Sequence, residues 1–162
     1  MNEQKKVEFG RRVAQANPTQ LVVITFDIAL TYLEDAEDAL PKASEEQAQA
    51  KESSFALKKL RESILNLQNA LDFQYEVAKS FLSLYSYVLR EVARAEAKRD
   101  AAPLANVKLV LSSLRNSFEE IESQDKREPL MENAQSVYVG LTYRRGNLEE
   151  TIPPDANRGY LA

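Results

Sequence analysis

All four glycines of this chain, Gly10, Gly140, Gly146 and Gly159, lie outside residues 17–125, and inside that span the only prolines are Pro18, Pro41 and Pro103. Helix interiors exclude these two residue types, glycine for its backbone entropy and proline for its missing N–H and its ring clash. So long a stretch without them outlines a helical block, with the prolines as its punctuation. Asn17 is a good N-cap, Pro18 suits the first helical position, and Gln20 stands where a capping-box partner would. The first helix is therefore expected to run from there to about Leu40, where Pro41 stops it.

Residues 42–52 are polar and read as a loop or frayed turn. A second helix is expected from Ser53 or Ser54 to about Asp72, with Leu57, Leu60, Ile64, Leu67 and Leu71 as one stripe. After a break at Asp72-Phe73-Gln74, a third is expected from Tyr75 to Lys98, carrying Val77, Phe81, Leu84, Tyr85, Val88 and Val92. Asp100 and Pro103 signal the start of a fourth, with Val107, Leu111, Leu114, Phe118 and Ile121 in alternating steps of four and three. The fold class that follows is all-α: an antiparallel four-helix bundle over residues 1–128 with a non-helical C-terminal tail. Residues 129–162 lose the helical period. Val137-Tyr138-Val139-Gly140-Leu141-Thr142-Tyr143 is strand-like in composition, so this extension reads as a docked strand or a disordered tail.

What the chain lacks limits its chemistry. With 162 residues it has room for one domain, and with 44% hydrophobic and 28% charged residues it is neither disordered nor membrane-embedded. The longest purely apolar run, Leu21-Val22-Val23-Ile24, cannot span a bilayer, and the N-terminus shows no secretory signal, so a cytoplasmic location is expected. There is no cysteine and no histidine. Thiolate nucleophiles, zinc–thiolate sites and the commonest general base and metal ligand are thereby excluded. No phosphate loop or dinucleotide fingerprint is present. A net charge of −4 and a pI near 5.1 argue against nucleic-acid and anionic-membrane partners. No catalytic residue, metal ligand or cofactor is expected. Glu34-Asp35 and Glu37-Asp38 read as a solvated helix face, and Arg144-Arg145 as a polar turn.

The first helix carries more apolar surface than a bundle requires. Leu21, Ile24, Ile28 and Tyr32 form one stripe, and Val22, Phe26, Leu30 and Leu33 form a second, about 150° around the helix. Either both stripes are core, or the second meets a further neighbour or a partner. On the third helix Leu82 and Leu89 flank the main stripe. Tyr85 and Tyr87 pair an apolar ring with a polar tip, which suits a groove edge, although periodicity alone puts Tyr85 in the core and Tyr87 in solvent. The candidate partner surface is therefore Val22, Phe26, Leu30, Leu33, Leu82, Tyr85, Tyr87 and Leu89.

The block Leu71-Asp72, then Ala78, Phe81, Leu84, Tyr85 and Tyr87, resembles a pattern of the FliS family of flagellar secretion chaperones, with Phe81 in place of a leucine. Residues 107–118 are similar to that family's last helix. Pro18-Thr19-Gln20-Leu21 and Phe26-Asp27-Ile28-Ala29 resemble its opening, with Phe26 for a tyrosine and Ile28 for a glycine. The likeness spans about residues 13–121. It implies a non-enzymatic bundle that binds the C-terminal helical segment of flagellin, prevents premature polymerisation and meets an export-gate protein, as a monomer or weak dimer. The alternative from the stripes alone is a helical adaptor or scaffold that homodimerises through the second stripe.

Overall fold

A computed structural model of the protein describes residues 1–42 and 47–131. Five α-helices follow one another: α1 (Glu3–Ala14), α2 (Pro18–Ala39, continued by a 3₁₀ turn at Leu40–Lys42), α3 (Gln47–Asn69), α4 (Val77–Lys98) and α5 (Leu104–Glu122). The described residues contain no strand. The strand-like residues 137–143, the Arg144-Arg145 turn and all of residues 132–162 lie outside the described residues.

The start of α2 follows the expected chemistry. The Asn17 side chain accepts from the Gln20 backbone N–H at 2.8 Å, and the Gln20 side chain accepts from the Asn17 N–H at 2.9 Å. Both bonds satisfy amides that the first turn would otherwise leave unpaired. Pro41 falls in the 3₁₀ turn that ends the helix. At the far end of α4, Arg99 adopts a left-handed conformation (φ 52°), and its N–H closes on the carbonyls of Ala95 and Glu96.

Three expectations are corrected. Among the described residues the helices number five rather than four, because α1 precedes the expected block. Its Asn2 cap accepts from the Lys5 N–H, Glu3 sits in the first turn, and Arg11 and Arg12 lie in the last, each favourable to the helix dipole. Second, α3 begins at Gln47 instead of Ser53 or Ser54. Gln47-Ala48-Gln49-Ala50-Lys51-Glu52 has no apolar period but consists of strong helix formers, so propensity carries the helix past the end of its buried stripe. Third, α3 ends at Asn69 and α4 starts at Val77, so the interhelical break is longer than read from sequence.

The four long helices pack in a closed ring, α2 against α3 and α5, and α4 against α3 and α5. Along α2 and α5 the contacts run in opposite senses: Thr19 meets Asp125, Asp27 meets Arg115 and Glu37 meets Lys108. An aromatic cluster closes one half of the core. The Phe26 ring centroid lies 5.7 Å from Phe118 and 6.5 Å from Tyr85, and Phe81 lies 5.7 Å from Phe118 and 6.3 Å from Tyr85. Leu33, Leu57, Leu60, Ile64, Val88, Val92, Leu104, Val107 and Leu111 fill the rest. Among the described helices, α1 packs only against α2.

Candidate partner-binding surface

Helix α2 is covered nearly all round: Glu34 and Asp38 are its only exposed residues. Which neighbour covers which side decides what the two apolar stripes do. Phe26 and Leu33 are fully buried, facing the ring of helices, so the second stripe is the core stripe. Sequence alone leaves these residues either in the core or on a partner surface. The structure instead gives them no surface to offer while the helices stay packed, and the same holds for Tyr85, which is 2% exposed. Val22, Leu30, Leu82, Tyr87 and Leu89 are half-buried. The last two lie on different sides of α4, since Leu89 follows Leu82 by two turns whereas Tyr87 is about 150° from that line. The eight residues therefore do not form one patch.

Helix α1 lies along another side of α2, which only Ile24 of the first stripe shares: Tyr32 of that stripe is core and Ile28 packs against the core. The Arg12 guanidinium of α1 donates to Asp27 at 2.7 Å, and the N-terminal ammonium of Met1 pairs with Asp35. Near the α1 C-terminus, Arg12 and Gln15 line a cleft of about 250 Å³ together with Gln20, Ile24 and Glu122. Gln20, Ile24, Asp27 and Asp35 follow one side of the helix, so α1 runs antiparallel to α2 along that side. Asp27 is shared: Arg115 of α5 donates to its other carboxylate oxygen at 2.9 Å and also reaches Glu119. One acid thus ties α1, α2 and α5. Asp35 and Glu37, read from sequence as a solvated face, are the anchors for the N-terminus and for Lys108. Glu37 in turn holds the Lys108 ammonium above its ordinary pKa through its hydrogen bond and its charge.

Helix α1 makes a thin cover. Of its residues only Phe9, Arg12, Val13 and Ala14 are not exposed, and only Ala14 is buried. Its ion pair with α2, Arg12–Asp27, is part-exposed, the class of interaction worth least per contact in water.

The chain beyond α5 returns to the same place. Asp125 accepts from the Thr19 hydroxyl at 2.6 Å and from the Arg127 guanidinium at 2.6 Å, and the Leu130 N–H donates to the Ala16 carbonyl at 3.1 Å. The Arg127 and Thr19 bonds hold the Asp125 carboxyl well below the usual carboxylate range.

Sequence reasoning also missed a set of exposed apolar side chains. Val77 and Leu84, read as part of the α4 core stripe, are 56% and 37% exposed, and Phe73 and Tyr75 in the α3–α4 connection are more than half exposed. Among the described residues no cluster of acidic side chains is arranged to hold a metal ion, and no helix is long and apolar enough to cross a membrane.

Burial of Tyr85 has a measurable consequence. It pushes the phenol up to about 12. An unfolded tyrosine ionises near pH 10, so below that pH both states are neutral and Tyr85 adds no pH dependence; above it the unfolded chain loses its proton first. Stability is therefore expected to fall as pH rises from about 10 towards about 12, and Tyr85→Phe should flatten that slope in urea melts. An unchanged slope would place the phenol in water.

The sequence model of a family described as Flagellar protein FliS matches residues 1–125 of the chain. That span takes in α1 through α5 and stops at Asp125. No curated protein matches the chain.

Proposed function

The chain belongs to the FliS family of flagellar proteins, and from that premise we propose that it is an export chaperone that binds the C-terminal helical segment of flagellin and prevents its premature polymerisation. The observation that carries the reading is the contrast between α2 and its cover: a helix with almost no exposed residue is closed on its outer side by α1, which buries a single alanine. An amphipathic client helix laid along Leu21, Ile24 and Ile28 would bury more apolar surface there than α1 does. This is helix-in-groove recognition, with α1 as a lid that the client replaces. The half-buried Val22, Leu30, Leu82, Tyr87 and Leu89 are available to a client that continues around the bundle.

The role requires no catalytic residue, cofactor or metal, and it is served in the cytoplasm, before the client reaches an export-gate protein. A client that is unfolded when free loses conformational entropy on binding, which a large apolar interface must offset. The competing reading, a scaffold that homodimerises through the second stripe, lacks a surface, because Phe26 and Leu33 are core. Calorimetric titration with a peptide of the C-terminal flagellin segment is expected to give 1:1 binding by a monomer with a negative heat-capacity change. Absence of binding by the full chain would overturn the proposal.

A further inference from the structure

Residues 126–131 lie beyond the part of the chain that matches the family, yet they make specific contacts, and these converge on the hinge between α1 and α2. That hinge, Gln15-Ala16-Asn17, decides whether α1 can swing away from α2. Ala16 and Asn17 are buried, as is Thr19 in the first turn of α2. The Asn17 side chain donates to the Asp125 carbonyl at 3.4 Å, and the Thr19 hydroxyl donates to the Asp125 carboxylate. Arg127 donates to the Thr19 oxygen at 3.0 Å and, through Nε and Nη2, to both oxygens of Asp125. The Leu130 N–H closes the loop on the Ala16 carbonyl.

We propose that residues 125–131 act as a latch on the α1–α2 hinge, so that the seating of α1 over α2 is controlled from the C-terminal side of α5. The inference rests on the reading of α1 as a lid. Helix α1 has few bonds of its own to α2, and the latch holds its only covalent connection. The Thr19–Asp125 and Arg127–Thr19 bonds are charge-assisted, the stronger class, and they fasten the first turn of α2 just past the hinge. Anything that draws residues 126–131 away from Ala16 and Thr19 would loosen α1 without touching it.

Amide hydrogen exchange on the full chain, without client, tests this directly. Arg127→Ala removes an exposed side chain, and Thr19→Val removes the hydroxyl at nearly constant volume. Each is expected to speed exchange across α1 by about fivefold or more while exchange in the core segments of α2 to α5 stays at the parent level. Unchanged exchange in α1, or equal acceleration in every helix, would overturn the latch. Client titration of the unaltered chain separates the two ideas: failure to bind flagellin would refute the chaperone reading, whereas the exchange result decides the latch by itself.

Discussion

Replacing Phe26 with alanine is expected to lower the free energy of unfolding by about 3–5 kcal/mol, a large part of the roughly 5–15 kcal/mol available to a domain of ordinary stability. Phe26 has no exposed surface and packs between the rings of Tyr85 and Phe118, so the truncation removes contacts to α4 and α5 together. Phe81 stacks near Tyr85 from the side and cannot fill the space without leaving its own contact with Phe118. The cavity should therefore persist, and cavities that cannot collapse are the costly ones. Leu30, half-buried one turn on, provides the contrast and should cost less than half as much when changed to alanine. Urea denaturation followed by far-ultraviolet circular dichroism measures both. Near-equal losses would mean that the second stripe of α2 is not the core stripe.

That result bears on how far the sequence could be read. The capping box at Asn17 and Gln20 was legible because it depends on residues three apart, and the structure contains both of its bonds. The two stripes of α2 were legible for the same reason. Their assignment was not. Periodicity shows that Phe26 and Leu33 share a side, but which side faces the core depends on helices far away in sequence. The second stripe, for which sequence offers a further neighbour or a partner as one alternative, is the core stripe; the neighbour that sequence does not show, α1, lies on another side of α2. Its charged composition and Gly10 mask its amphipathic character, and a helix of 12 residues is too short to be stable alone. Its helicity depends on docking, and docking through Arg12 and Asp27 is a tertiary fact. The family likeness, drawn from residues 13–121, was sound, and the matched span extends it to include α1.

Loosening α1 is expected to tighten client binding, and stiffening it to weaken binding. If α1 must leave before flagellin docks, the apparent dissociation constant is the intrinsic one divided by the fraction of chains with the lid open. The lid is held by ion pairs worth up to about 1 kcal/mol each and by limited apolar burial, so closure should amount to about 1–2 kcal/mol, or about five- to thirtyfold in affinity. Arg12→Glu sets a second carboxylate against Asp27 in place of the ion pair at 2.7 Å. It should recover most of that factor, with Asp27 still held by Arg115. Gly10→Ala works in the opposite direction. A methyl group at Gly10 meets nothing within 4 Å, so the change acts through helix propensity alone, by about 1 kcal/mol. To the extent that α1 is helical only when docked, this stabilises the closed lid and should weaken client binding by up to about fivefold. Opposite shifts from two substitutions on one exposed helix would be hard to explain by changes in the core. If both weakened binding, α1 would be a part of the client's binding surface rather than its competitor.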